Sequence, residues 1–198
     1  QDNKALYESS LDQNGLVALF IIDKEKNKDH GDSLAKLKLK LLGLEKIKNS
    51  LNSLNISLKT LYSKKISDEP VDILNFCNFH GVKNIYLNSE YPFNEKQRNI
   101  NLEKICRQHQ IGYKEFNSQL IDPDVIRNNS GLPFKVFTPY SKKIRSLLSE
   151  DILSETPAPL KQKKRILDQD DIPQFQDAYG QELDFSFDDF PLTESSAS

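Results

Sequence analysis

The chain has 198 residues, of which 37% are hydrophobic, which is enough for one core and an extension but low for two cores. Its formal net charge of -2, from 27 basic and 29 acidic residues, excludes a global positive field that would bind nucleic acid by counterion release. No apolar run approaches the roughly 20 residues that span a bilayer, and no signal segment opens the chain, so the sequence predicts a cytoplasmic protein with no membrane partner.

The first third of the chain predicts a helix, a buried strand and a long amphipathic helix. Asp2 is placed to cap a helix that runs to about Leu11. Residues 16–22 form a nearly unbroken apolar run of strand length, the pattern of a parallel strand buried on both faces. The segment after Ser33 keeps apolar residues at spacings of three or four along one helical face: Leu34, Leu37, Leu41, Leu44, Ile47, Leu51 and Leu54.

Strands and helices then alternate through the middle of the chain. Strands are predicted over 56–61, 84–87 and 113–116, separated by a helix from Pro70 to a stop at Gly81 and by a helix over 94–109. This spacing implies right-handed crossovers between parallel strands. The predicted fold class is α/β, a doubly wound, mostly parallel, Rossmann-like sheet with helices on both faces.

The periodicity fades after about residue 117, apart from a last amphipathic piece over 140–148. We therefore assign residues 1–150 to an α/β domain and residues 151–198 to a long, irregular interdomain linker, too polar to bury a core of its own. The basic run at 161–165 fits a solvated surface better than a nucleic-acid patch. Methionine is absent, even at position 1, so we expect the chain to be part of a longer polypeptide.

The sequence shows no disulfide, metal-binding or phosphate-binding motif. Cys77 and Cys106 are far apart and the three histidines are scattered, which argues against a disulfide framework or a metal site. A remote alternative is a nucleotide-binding module such as an electron-transfer flavoprotein subunit. Such a module is expected to carry a glycine-rich phosphate loop, whereas Gly31, Gly43 and Gly81 are isolated glycines.

Four landmarks occur in the order found in one known family. The chain opens with DNKAL, residues 16–23 read LVALFIID, residues 85–99 read IYLNSEYPFNEKQRN, and residues 116–144 read FNSQLIDPDVIRNNSGLPFKVFTPYSKKI. Together they resemble the N-terminal α/β domain of the DNA photolyase and cryptochrome family, most closely the bacterial folate-type cyclobutane pyrimidine dimer photolyases.

The resemblance implies a function divided between two modules. Photolyases bind FAD in a C-terminal helical domain and use light to split cyclobutane pyrimidine dimers that are flipped out of damaged DNA. The α/β domain that resembles this chain carries an antenna chromophore, often methenyltetrahydrofolate or a deazaflavin, which passes its excitation to FAD. The resemblance therefore implies no catalytic residue in this chain. The implied partners are damaged DNA and the FAD domain of the same protein. The alternative function is that of a cryptochrome, a photoreceptor without repair activity.

The family's folate-using members contact the pterin through an Asn-Glu pair that falls here on Asn94 and Glu95. A carboxylate can accept two adjacent N–H groups from a pterin edge, and ligands in open α/β sheets bind beyond the carboxyl ends of strands. The alternative is structural: Asn94 followed by Gln97 is a capping-box pattern, and Glu95 complements the dipole of a first helical turn.

Two further sets of aromatic residues are weaker candidates for a functional or anchoring role. Tyr86, Tyr91 and Phe93 could line a chromophore pocket, although packing near a strand end is the commoner use of such residues. The residues Phe134, Phe137 and Tyr140 are expected to anchor their loop against the domain.

One landmark of the family has no counterpart in this sequence. The family's first strand, which ends in an Arg-Asp-Leu-Arg-like stretch just before the DNKAL segment, does not occur. Because that strand is central in a doubly wound sheet, its absence predicts a gap in the middle of the hydrogen-bond ladder.

Overall fold

The computed structural model describes residues 2–23, 25, 31–117, 126–148 and 155–182. Helices and strands alternate along them in the predicted order. The elements are α1 (Lys4–Ser10), β1 (Val17–Asp23), α2 (Leu34–Ser53), β2 (Ser57–Ser63), α3 (Glu69–His80), β3 (Asn84–Asn88), α4 (Phe93–Gln108), β4 (Gly112–Phe116), α5 (Phe137–Leu147) and α6 (Phe175–Tyr179).

The helix ends show where local sequence signals were sufficient. Gly81 ends α3 in the left-handed conformation, with φ of +67°, as the sequence predicted. The cap of α1 was predicted one residue too early, because Asn3 Oδ1 accepts the Leu6 N–H at 2.9 Å. The carboxylate of Asp2 instead accepts the backbone N–H of Thr156 at 3.1 Å.

The four strands form two parallel pairs, β1 with β2 and β3 with β4. The predicted α/β class with parallel strands is confirmed. Within the described residues no ladder joins the two pairs, in agreement with the gap that we expected in the middle of the sheet. A cleft of about 590 Å³ lies at the interruption and is lined along its length by residues of both strands.

Helices cover both faces of this split sheet. The long helix α2 packs against β1 and β2 through Leu37, Leu41, Leu44 and Leu51, while α3 and α4 pack together on the opposite face around the second apolar cluster. Four leucines of the predicted apolar face of α2 are therefore buried as expected. Ile47 is 52% exposed, because neither apolar cluster extends over that position.

The described part of the predicted linker, residues 155–182, lies along β2. The Asp170 N–H donates to the Leu58 carbonyl at 3.0 Å, and Asp170 Oδ2 accepts the Thr60 N–H at 2.8 Å. The segment adds three buried residues to the α2 cluster: Ile172, Phe175 and Ala178. It also includes α6, a short helix that the periodicity did not predict.

Among the described helices, none combines the length and the apolar character required to cross a lipid bilayer. The acidic tail beyond residue 182 and most of the loop after β1 lie outside the described residues.

Candidate functional site

The predicted folate pair lies in the first turn of α4, just after the carboxyl end of β3. The helix begins at Phe93, and Pro92 occupies the N-cap position without a side-chain cap hydrogen bond. Asn94 is therefore inside the helix and exposed, so the capping-box interpretation of Asn94 and Gln97 was wrong. Glu95 is half-buried and acidic in the first turn, a position where a carboxylate also complements the helix dipole.

The next turn of α4 is held to the rest of the domain by Arg98. Its Nη1 donates to Glu69 Oε2 at 3.0 Å, and its Nη2 donates to Glu90. The side chains of Arg98 and Glu69 are only 14% and 3% exposed. Burial alone would lower the pKa of Arg98, but the carboxylates of Glu90 and Glu69 outweigh it and hold that pKa above its usual value.

A second set of hydrogen bonds joins this turn to β4. Asn99 Oδ1 accepts from Arg98 Nε at 3.0 Å, and Asn99 Nδ2 donates to Glu115 Oε1 at 3.2 Å. The Tyr113 hydroxyl donates to Glu115 Oε2 at 2.6 Å, and burial followed by this hydrogen bond raises the pKa of Tyr113. Because the Asn99 amide is buried and hydrogen-bonded to Glu115, the start of α4 is joined to β4 as well as to α3.

Amide side chains connect the loops at the carboxyl ends of the strands. The Tyr91 hydroxyl donates to Asn117 Oδ1 at 2.8 Å, which links the loop after β3 to the loop after β4. At the end of β3, Asn88 Nδ2 donates to Asn3 Oδ1 at 2.9 Å. The edge of the sheet at which ligands of such folds bind is therefore lined with amide and carboxylate groups.

The aromatic residues near this edge do not form one cluster. The ring of Tyr86 stacks on Phe116, with centroids 6.4 Å apart, and Lys114 Nζ lies 5.3 Å from the Tyr86 centroid. Phe93, beside the folate pair, is 77% exposed. Tyr86 packs within the sheet, whereas Phe93 offers an apolar surface next to Asn94 and Glu95.

Among the described residues, α5 buries no side chain against the domain, so the prediction that Phe137 and Tyr140 anchor this loop was wrong. Phe134 and Phe137 contact Tyr140, but α5 buries no side chain and Phe137 is 75% exposed. The amphipathic piece predicted over 140–148 lies largely within this helix, Phe137–Leu147. The spacing could not show that the apolar face lacks a covering element among the described residues.

The cleft between β1 and β3 is separate from the folate pair. Asn94 and Glu95 are not among the residues that line it, whereas Arg98, Glu69 and Glu90 are. Sequence reasoning missed these three residues, because nothing in the local pattern indicates that positions 69, 90 and 98 meet in space.

The two cysteines are free and buried in the cluster between α3 and α4. Burial, with a smaller contribution from Cys106, raises the pKa of the Cys77 thiol to about 11, and thiols of this kind are unreactive. The described residues contain no group of three or more His, Cys, Asp or Glu side chains that could hold a metal ion.

The comparisons with known proteins agree on the family. A family model described as DNA photolyase matches residues 1–161. The deoxyribodipyrimidine photo-lyase of Buchnera aphidicola subsp. Acyrthosiphon pisum is 29% identical over 164 residues, which are 82% of this chain and 34% of that protein. The chain thus spans about a third of the length of the curated relatives that it matches.

Solved structures with the same fold come from the same group of proteins. A bacterial class III photolyase from Agrobacterium tumefaciens gives a TM-score of 0.67 at 16% identity, over 89% of this chain and 35% of the other. The cryptochrome of Synechocystis sp. PCC6803 gives 0.65 at 18% identity, over 93% and 38%. At these identities the similarity shows the fold alone.

Proposed function

The chain belongs to the DNA photolyase family, and on that premise we propose that it is the antenna-binding part of a deoxyribodipyrimidine photolyase. The full-length protein is proposed to be a flavoprotein lyase that uses FAD and light to split cyclobutane pyrimidine dimers in damaged DNA. In this proposal the chain binds methenyltetrahydrofolate, and FAD is bound by a helical domain outside the chain.

The family match over residues 1–161 carries the proposal, and the side chains at the start of α4 fit a pterin. Glu95 offers a carboxylate that can accept two N–H groups, Asn94 offers an amide that both donates and accepts, and the exposed Phe93 ring provides an apolar surface beside them. When bound, the folate would supply near-ultraviolet absorption and pass its excitation to FAD. The residues of this chain only have to fix its position and orientation.

The network around Arg98 supports this role. An antenna transfers energy efficiently only if it is rigidly held, and the turn that follows Asn94 and Glu95 is fixed to α3 through the buried ion pair with Glu69. Asn99 fixes the same turn to β4 through Glu115. These residues are proposed to position the folate pair and not to contact the pterin.

Titration of the 198-residue chain with methenyltetrahydrofolate, followed by its near-ultraviolet absorption band, tests the proposal. We expect Glu95→Gln to weaken binding by about 10-fold to 100-fold, because a charge-assisted hydrogen bond contributes about 1.5–3 kcal/mol. Glu103→Gln is the matched control, since Glu103 lies two turns further along α4, is 48% exposed and pairs with Arg107. Equal affinity for the Glu95→Gln and Glu103→Gln proteins would contradict the folate assignment.

The alternative function is that of a cryptochrome, because the Synechocystis cryptochrome has the same fold as this chain. The two functions share an antenna-type domain, so folate binding does not separate them. Light-dependent repair of dimer-containing DNA by a longer protein that includes this chain and its FAD domain is expected for a photolyase. Absence of repair with FAD bound and reduced would favour the cryptochrome.

A further inference from the structure

The ring of Phe93 projects from the first turn of α4 on a fixed support. Its side chain is 77% exposed, and no aromatic ring of the described residues contacts it. The backbone on either side is held by hydrogen bonds: the Lys96 N–H donates to the Pro92 carbonyl at 2.9 Å, and the Ser89 N–H donates to the Phe116 carbonyl at 2.8 Å. One aromatic face is therefore presented to solvent at a fixed position.

Carboxylates flank this ring along the chain. Glu90 lies three residues before Phe93 and Glu95 lies two residues after it, and no lysine or arginine occurs between them. The side chain of Glu90 is 48% exposed. Its partner Arg98 is shared with the buried carboxylate of Glu69, so one cation serves two anions. The loop and the first turn of α4 therefore keep an excess of negative charge.

The space ahead of α4 favours a cation over an anion. Side chains in the first turn of a helix lean toward its amino end, so those of Phe93, Asn94 and Glu95 border this space. The helix dipole adds about half a positive charge there, and the Glu95 carboxylate offsets it. A phosphate or another anion would meet the carboxylates of Glu90 and Glu95. A flat cation is attracted both by these carboxylates and by the quadrupole of the Phe93 ring.

Methenyltetrahydrofolate contains a cation of this kind. One CH group joins a nitrogen of its pterin to the nitrogen of its tail, and a positive charge is delocalised over the two nitrogens. The related compound 5-formyltetrahydrofolate has the same pterin and tail but no charge at this position. The two compounds therefore separate recognition of the charged bridge from recognition of the pterin edge.

We propose that Phe93 is a specificity-determining residue that selects the charged methenyl bridge, with its ring face on the cation and the carboxylates of Glu90 and Glu95 on either side. Asn94 and Glu95 recognise the pterin edge, which reduced folates share, whereas Phe93 distinguishes the one-carbon group that they carry. This inference rests on the proposed antenna function and deepens it, because it assigns a residue to the choice among folates.

The full chain is titrated separately with methenyltetrahydrofolate and with 5-formyltetrahydrofolate, and the ratio of the two Kd values measures the preference for the charged bridge. We expect the native chain to bind the methenyl compound about 10-fold tighter, and Phe93→Leu, which keeps an apolar side chain, to lower that preference about 5-fold. Phe93→Tyr should retain the preference, because it keeps the aromatic face. Phe79→Leu is the matched control, since Phe79 is 85% exposed near the end of α3.

A second variant tests the charge beside the ring. Glu90→Gln should lower the preference about 3-fold, whereas Glu103→Gln should preserve it, because Glu103 is equally exposed, at 48%, and also pairs with an arginine but lies further along α4.

The outcomes separate this inference from the folate assignment itself. Equal Kd values for the two folates in the native chain, or an unchanged ratio in either Phe93→Leu or Glu90→Gln, overturn the selection by Phe93. Binding of 5-formyltetrahydrofolate that Glu95→Gln weakens would still support the folate site in that case. Failure of the native chain to bind either compound overturns the proposed function and this inference with it.

Discussion

At the scale of single residues, the ion pair between Arg98 and Glu69 is deeply buried, with side chains 14% and 3% exposed. Removing water from two charges is costly, so such a pair is retained only when its geometry and hydrogen bonds are good. Here the guanidinium also bonds Glu90 and Asn99. One residue of α4 therefore contacts α3, the loop after β3 and its own helix.

Arg98→Met keeps the length of the side chain and removes its charge. We expect a loss of about 3 kcal/mol in the free energy of unfolding, because Glu69 would remain buried without its cationic partner. Urea unfolding measures the change. Arg107→Met is the control, since Arg107 is 81% exposed and its pair with Glu103 contributes less than about 0.5 kcal/mol. Similar losses in the two variants would contradict the argument.

At the scale of elements, the segment 155–182 covers an edge that would otherwise be open. Asp170 bonds the backbone of Thr60 and the Lys59 ammonium group, and its own N–H bonds Leu58. Exposed strand edges favour pairing between molecules, so this segment protects β2 from aggregation as well as adding apolar contacts to α2. Burial alone would raise the pKa of Asp170, but its hydrogen bonds with Lys59 and Thr60 hold it below the ordinary value.

Asp170→Asn should release the segment from β2. We expect the Thr60 amide to exchange about 10-fold faster, corresponding to about 1 kcal/mol of lost local stability. Asp171→Asn is the matched control, because the neighbouring carboxylate is fully exposed and its pair with Lys48 contributes little. Equal exchange at Thr60 in the two variants would contradict the role given to Asp170.

The same carboxylate predicts a pH dependence. Because the pKa of Asp170 is lower in the folded than in the unfolded protein, its contribution is fully present above the unfolded value of about 3.9. The contribution is lost as the pH falls through the folded pKa. Urea unfolding of the native and Asp170→Asn proteins should therefore differ near neutral pH and converge in acid. A difference that stayed constant down to the folded pKa and below it would contradict this assignment.

At the scale of the whole molecule, the split sheet and the exposed apolar face of α5 both leave surfaces without a covering element in the described residues. Relatives of the family extend well beyond the region that this chain matches, since it spans 34% of the Buchnera protein. Family membership is shown by the match over residues 1–161, and the light-harvesting role is the function that we propose for this part of the longer protein.

The 198-residue chain by itself is expected to show no dimer repair. Ultraviolet-damaged DNA is illuminated with the chain and methenyltetrahydrofolate, and the remaining dimers are counted against an unilluminated sample. The reason is that the proposed reaction depends on FAD, for which the chain offers no identified site. Light-dependent repair by this chain alone would contradict the division of function between two modules.

The sequence by itself determined the type and order of most elements, since hydrogen bonding within a helix and the periods of helix and strand are local properties. It predicted most of the apolar face of α2, the left-handed stop at Gly81 and an interruption in the middle of the sheet. It also identified Asn94 and Glu95 as the folate pair, through resemblance to the family, and that role remains a prediction.

Only the tertiary structure decided which distant residues meet. Arg98 and Glu69 are 29 positions apart, and Thr60 and Asp170 are 110 apart, so no local pattern relates them. Only the tertiary structure showed that α5 leaves Phe137 exposed and that β1 and β3 border one cleft. Such contacts depend on how the elements pack, and packing is a property of the whole chain that no short segment encodes.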